Sequence, residues 1–234
     1  MTGPEGNSRL VTSSQPGPHR DLEKLVRRHA GHPFQKPVLD YNRRAFAMAM
    51  AAWRGWNGRS PLILDAGCGV GWSTLQLAGA YPDHFVLGVD QSLDRLSRGK
   101  PLPLPANAAF VRADLVDFWR LLKGEDVRLA RHYLLYPNPW PKVGHLARRW
   151  HGHAVFPDLL ALGGILECRS NWRTYVEELA LAIGWVAGLA VSVEPWLPKG
   201  EPLTPFERKY LASGQSLYRL VADLGQSAAD QLRK

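Results

Sequence analysis

An α/β doubly wound sheet, mostly parallel with a late antiparallel strand, is the fold this sequence predicts, on three observations. Short apolar runs alternate with helical stretches from residue 62 to residue 185, the pattern of repeated strand–helix–strand units. The first run closes on a glycine-rich turn, Asp65-Ala-Gly-Cys-Gly-Val-Gly71. A later run closes on a proline-rich turn, Tyr136-Pro-Asn-Pro-Trp-Pro-Lys142. In an open α/β sheet, ligands collect outside the carboxyl ends of the strands, so the two turns are expected to face one crevice.

The elements follow in order. Residues 1–20 are rich in Gly, Pro and Ser and weakly apolar, and disorder is expected. Residues 21–30 are expected as a short helix with Arg27 and Arg28 near its C-terminal end, where the dipole favours cations. Residues 41–56 read as a second helix, with Arg43 and Arg44 opposite an apolar side that includes Phe46 and Met50. Strands are expected at 62–65, 85–89, 109–112, 132–136 and 165–168, alternating with helices at 73–79, 93–98, 115–122, 146–160 and 172–185. Residues 191–194 and 216–221 complete the sheet as a late strand pair. Residues 1–40 are taken as a basic, partly disordered extension and residues 41–234 as one domain.

A chain of 234 residues suits one such domain. Lys and Arg total 29 against 21 acids, a formal charge of +8, which favours a polyanionic partner. The charge is concentrated. Between Asp126 and Asp158 there is no acid, while Arg128, Arg131, Lys142, Arg148, Arg149 and four His occur. Cys68 and Cys168 read as small buried thiols of a reducing compartment. No signal peptide opens the sequence, and the longest uncharged run, 179–193, falls short of the ~20 residues a spanning helix needs. The expected location is the cytoplasm and the expected state a monomer. His151-Gly-His153 has no Cys or acid nearby at ligand spacing and is read as an exposed pair rather than a metal site.

The glycines are spaced Gly67-x-Gly69-x-Gly71 and lack the third glycine of a dinucleotide fingerprint, which disfavours nicotinamide and flavin. An acid just before the glycines, Asp65, sits awkwardly beside a pyrophosphate but suits a ligand carrying an ammonium and a sulfonium. Asp90 ends the second strand, where a carboxylate accepts from ribose hydroxyls. Asp114 follows the third strand, within reach of an adenine amine. Together these resemble the S-adenosylmethionine site of class I methyltransferases, which have a Rossmann-like sheet.

The second constellation is more specific. The 136–142 turn, then His145, Arg148 and Arg149, then Ser170-Asn171-Trp172 with Tyr175, then Thr204-Pro-Phe206-Glu207-Arg208, resemble in order and spacing the bacterial tRNA (guanine-N7)-methyltransferase family over residues 60–221. The corresponding family stretches read roughly F-P-D-P-W-x-K with H-x-x-R-R, T-D-W with a Tyr beyond, and T-x-F-E. Asn138 and Asn171 stand where that family has aspartates, and Asp65 stands where its bacterial members commonly have Glu.

The resemblance implies a methyl transfer from S-adenosylmethionine to guanine N7 in tRNA. N7 is an unprotonated acceptor, so alignment and electrostatics rather than a general base supply the rate. It implies that Asn138 holds the base, that Glu207 helps bind base or cofactor, and that Trp140, Asn171, Tyr175 and Thr204 line the substrate pocket. Lys142, His145, Arg148 and Arg149 are implied substrate contacts, with phosphate expected at the Arg148-Arg149 cluster. Outside the resemblance, the N-terminal arm with Arg27, Arg28, Arg43 and Arg44 reads either as a clamp on RNA or as charge that keeps the protein soluble. Two other readings use the same residues. Asn138-Pro139-Trp140-Pro141 has the residue types of the turn with which amino-methyltransferases hold an adenine N6 or cytosine N4 amine. A catalytically silent protein that binds cofactor or RNA is the third.

Overall fold

The computed structural model describes residues 6–225. Its centre is a seven-stranded sheet made of β1 (Leu62–Ala66), β2 (Phe85–Asp90), β3 (Ala108–Arg112), β4 (Arg131–Leu135), β5 (Ile165–Ser170), β6 (Val193–Trp196) and β7 (Leu217–Asp223). The strand order is β3-β2-β1-β4-β5-β7-β6. Strands β1 to β5 pair in parallel, and β7 runs antiparallel to both β5 and β6. This is the doubly wound sheet with a late antiparallel strand that the alternation predicts.

Every residue of β1 and β2 is buried, as central parallel strands covered on both faces must be. Successive side chains point to opposite faces, and β1 shows it. Leu62, Leu64 and Ala66 join the larger core with residues of α1 (Leu22–Ala30), α2 (Asp40–Asn57), α5 (Leu115–Gly124), α6 (Phe156–Ala161) and α7 (Arg173–Ala187). Ile63 joins a smaller one with Leu77 of α3 (Trp72–Ala80) and the partly buried Tyr210 of α8 (Pro205–Ala212). A short α4 spans Leu93–Ser97. No helix among the described residues is long and apolar enough to cross a membrane.

Three elements differ from the sequence reading. The expected helix over 146–160 is two 3₁₀ turns, Val143–Arg148 and Trp150–Gly152, followed by α6. Arg149 between the turns is extended, at φ −73° and ψ 143°. A Cβ on Gly152 would lie 2.2 Å from the Leu146 carbonyl oxygen, so the chain folds back too tightly for a continuous helix. Helix α8 was not anticipated, although Thr204-Pro205-Phe206-Glu207 carries a helix start: the Thr204 hydroxyl accepts from the Glu207 N–H (2.9 Å) and Pro205 opens the first turn.

The third difference is at the N-terminus. From Gly6 onward the segment expected to be disordered lies along the body. The Gly6 N–H donates to the Ala212 carbonyl (2.8 Å) and Ser8 N–H to Ser213 Oγ (3.0 Å). Gln215 Nε2 donates to the Ser8 carbonyl (2.9 Å), and the His19 N–H donates to Glu178 Oε1 (2.8 Å). Val11 is partly buried against the larger core, and polar side chains of the body satisfy much of the segment's backbone. Leu22 and Val26 of α1 are buried, so cutting the chain at residue 40 would strip core contacts as well as the cations Arg27 and Arg28.

His132 on β4 is fully buried, and its Nε2 accepts from Trp119 Nε1 (3.1 Å). Burial lowers its pKa to about 3. The unfolded chain therefore takes up a proton near pH 6.5 that the folded chain refuses until about pH 3, and the stability this neutral ring contributes is lost as pH falls through that window. Between pH 7 and pH 5 the stability gap between wild type and His132→Phe should shift by about 2 kcal/mol against wild type. Urea titrations at the two pH values measure it, and a gap independent of pH would show that His132 does not stay neutral.

Candidate active site

The carboxyl ends of β1, β2 and β4 open into a single cavity of about 760 Å³, within the usual range for ligand sites of about 300–1,000 Å³. Gly67, Gly69, Asp90 and Asp114 line it from one side, and Tyr136, Asn138 and Trp140 from the other. The two turns singled out in the sequence thus share one crevice.

The glycine turn is left-handed at Gly67, Gly69 and Gly71, with φ of +78°, +59° and +82°. These values favour glycine. A Cβ on Gly69 would meet nothing within 4 Å, so the turn leaves a cradle of bare backbone. Gly71 serves packing instead: a Cβ there would lie 2.3 Å from the Phe110 ring, and Gly71 does not line the cavity. Asp90 closes β2 nearly buried. Its Oδ2 accepts from the Gly69 N–H (3.0 Å) and its Oδ1 from the Ser92 N–H (2.8 Å). Oδ2 also receives Arg95 Nη1 at 3.5 Å, so Oδ1 is the oxygen that keeps a lone pair for a ligand hydroxyl. Asp114 caps α5, its Oδ1 accepting from the Val116 N–H (2.8 Å). Asp65 lies beneath the turn and does not line the cavity; its Oδ2 accepts from Ser73 (2.6 Å) and Thr74 (2.7 Å) at the start of α3. Burial raises its pKa to about 6 against the lowering effect of those two hydroxyls, and the Asp90 charge adds to the rise. Cys68 is buried and burial pushes its thiol up, leaving it protonated at neutral pH.

The proline turn is held in unusual backbone. Tyr136 and Trp140 have φ of +53° and +45°, a conformation that costs of order 1–3 kcal/mol each for non-glycine residues. Tyr136 is held from both ends: its N–H donates to the Arg169 carbonyl (2.8 Å) and its hydroxyl to Glu207 Oε1 (2.7 Å). Burial and the Glu207 charge raise the phenol's pKa, so it remains a donor. The Trp140 N–H donates to Asn138 Oδ1 at 3.4 Å. The Arg148 guanidinium lies over the Trp140 ring at 4.8 Å, and the His145 ring meets its edge at 5.5 Å. Partial burial and then the neighbouring Arg148, Lys142 and Arg149 charges lower the His145 pKa.

Several residues expected in the site lie elsewhere. Arg149 is fully buried, with Nη1 2.5 Å from Glu178 Oε2 and its guanidinium 4.8 Å above the Trp172 ring, so it does not reach an RNA phosphate. His151 is buried too, its Nε2 2.8 Å from the same Glu178 oxygen, rather than one of an exposed pair. Burial alone would raise the Glu178 pKa, but the hydrogen bonds and charges of His151 and Arg149 hold it at about 2. Glu207 is fully buried and does not line the cavity; besides Tyr136 it accepts from Arg169, Trp196 and the Leu203 N–H. Asn171 donates to Gln215 Oε1 (2.8 Å) and also lies outside the cavity, as does the exposed Lys142. Tyr175 and Thr204 do line it, Tyr175 as a fully buried floor whose hydroxyl accepts from the Trp150 N–H (3.3 Å). The wall also includes Phe206, half-exposed, and the exposed Arg95 and Arg98. Nothing in the sequence separated these two arginines from the other cations, whereas Phe206 sat inside a motif already singled out.

Comparison with known proteins agrees with this geometry. The model of the family described as "Putative methyltransferase" (Methyltransf_4) matches residues 59–220. Among curated relatives, the tRNA (guanine-N(7)-)-methyltransferase of Burkholderia ambifaria is 29% identical over 225 residues, covering 87% of this chain and 85% of that protein. The protein of the same name from Bordetella pertussis is 30% identical over 195 residues, covering 78% and 73%. Among solved structures, "Structure of an Antibiotic Related Methyltransferase" superposes with a TM-score of 0.50 at 14% identity, covering 81% of this chain and 96% of that one, a likeness of fold. The cradle of bare glycine backbone with Asp90 and Asp114 at successive strand ends fits S-adenosylmethionine, and the chain belongs to this family of S-adenosylmethionine-dependent methyltransferases.

Proposed function

We propose that this protein methylates guanine N7 in tRNA. The observation that carries the reading is that the Tyr136–Lys142 turn, in strained and rigid backbone, shares one cavity with the glycine cradle. The names of its relatives supply the substrate class. S-adenosylmethionine brings a sulfonium-bound methyl group, which a lone pair such as that on guanine N7 accepts with no proton to be removed.

The chain's own residues then bind and align. Asp90 receives ribose hydroxyls, Asp114 faces the adenine, and Gly67 and Gly69 admit the close approach of the ligand. Asn138 has its oxygen turned to the Trp140 N–H, which leaves its amide hydrogens to donate to guanine O6, an acceptor on the same edge as N7. Trp140 and Phe206 offer aromatic faces to an unstacked base. Arg148 at the rim meets a phosphate, so binding weakens with salt, while Arg95 and Arg98 are paired with Asp90 and Asp94.

The test is to supply unmodified tRNA and labelled S-adenosylmethionine and to identify the labelled nucleoside by digestion and mass spectrometry. The expected product is 7-methylguanosine. With Asn138→Ala, kcat should fall about 100-fold through lost alignment, while the cofactor Kd stays as in wild type. An N-methylated adenosine or cytidine would instead favour the amine reading of this turn, and cofactor binding with no labelled RNA would favour a silent protein.

A further inference from the structure

The turn that faces the cavity is also gripped by a segment outside the sheet. Pro137, Pro139 and Pro141 carry no N–H, so the turn has few donors with which to stabilise itself. Two of its carbonyls are held by side chains from outside the turn. Ser13 Oγ donates to the Pro141 carbonyl at 2.6 Å. Arg149 donates to the Trp140 carbonyl from Nε (3.3 Å) and Nη2 (3.1 Å), and Nη2 also reaches Gln15 Oε1 (3.1 Å).

The same segment sets the geometry of Arg149. Gln15 Nε2 donates to Glu178 Oε1 (2.5 Å), whose second oxygen receives Arg149 Nη1. Gln15 is shaped locally, its N–H donating to Ser13 Oγ (3.1 Å) and its Nε2 to the Gly17 carbonyl (2.6 Å). Further back, Gln215 Nε2 donates to the Ser8 carbonyl (2.9 Å), with Gln215 oriented by the amide of Asn171. Asparagine at 171 supplies a donor there that an aspartate would lack.

We propose that Ser13 and Gln15 are positioning residues for methyl transfer: through Pro141, and through Arg149 to Trp140, they hold the proline turn in the conformation that presents Asn138 and Trp140 to the base. The proposal rests on the assignment of that turn to the target base. None of these contacts involves the glycine cradle or Asp90, so cofactor binding is independent of them.

The experiment uses the full-length Ser13→Ala/Gln15→Ala variant with two readouts. In tRNA methylation, kcat should fall about 10- to 100-fold, the scale of a misplaced reacting group, with the KM for tRNA and the Kd for S-adenosylmethionine changed less than threefold. Ser13→Thr, which keeps the hydroxyl, should retain the wild-type rate. In hydrogen exchange, the amides of residues 138, 140 and 142–145 should exchange faster while those of β1 and β2 are unchanged. A loss confined to the KM for tRNA would make the segment an RNA contact, and a fall in melting temperature and cofactor affinity together with rate would make it merely structural; either overturns the proposal. If wild-type protein methylates no tRNA, the substrate reading fails, and exchange over 138–145 still decides whether Ser13 and Gln15 hold the turn.

Discussion

Replacing Glu207 by alanine should destabilise the protein by about 3–5 kcal/mol, the cost of breaking a buried ion pair from one side. The carboxylate is fully buried beside Arg169, which donates to it from Nη1 at 2.9 Å. It also receives the Tyr136 hydroxyl (2.7 Å), Trp196 Nε1 (2.8 Å) and the Leu203 N–H (2.7 Å). Removing it leaves these donors unsatisfied at once, and Arg169 keeps the Glu167 carboxylate (2.7 Å) and the Trp196 ring (4.2 Å). Glu207→Gln retains an acceptor oxygen and should cost less. Urea unfolding of both variants measures the effect. Glu207→Ala that unfolds within 1 kcal/mol of wild type yet no longer transfers methyl would return this residue to the chemistry of the site.

Asp90→Ala should weaken S-adenosylmethionine binding about 100-fold, close to 2.7 kcal/mol. Two losses combine. A carboxylate that accepts from ligand hydroxyls contributes about 1.5–3 kcal/mol per charged hydrogen bond, and this one also braces the cradle through the Gly69 and Ser92 N–H groups. Calorimetric titration with the cofactor alone reads the change without any RNA. A Kd within threefold of wild type would remove Asp90 from the cofactor site. Asp65→Ala provides the contrast. Asp65 does not line the cavity and acts on it indirectly, through the Ser73 hydroxyl and its charge beside Asp90, so its effect should be the smaller of the two.

The parallel sheet was legible because its signals are local and repeated: apolar runs of strand length, glycines where φ is positive, and acids at strand ends. The same locality made Gly67, Gly69, Asp90, Asp114, Asn138 and Trp140 recognisable before any coordinates, and they line one cavity. Arg149 and Glu207 were not separable from their neighbours in this way. In a string of residues Arg148 and Arg149 are alike, yet the backbone between two 3₁₀ turns aims Arg149 inward against Glu178, while Arg148 stays exposed over Trp140. Burial of a charge depends on a partner far away in sequence, 29 residues for Glu178 and 134 for Gln15.

The sequence by itself determined the fold class and the two turns, because strand periodicity, glycine conformation and acid placement act over a few residues; the cofactor followed from the resemblance of that glycine turn and those acids to class I methyltransferases. The tertiary structure alone decided which charged groups face the cavity and which brace it. It also decided that residues 6–20, polar and without apolar periodicity, lie along the body and touch the proline turn. Those outcomes depend on desolvation and on hydrogen bonds closed between distant segments, and neither is written in the local pattern.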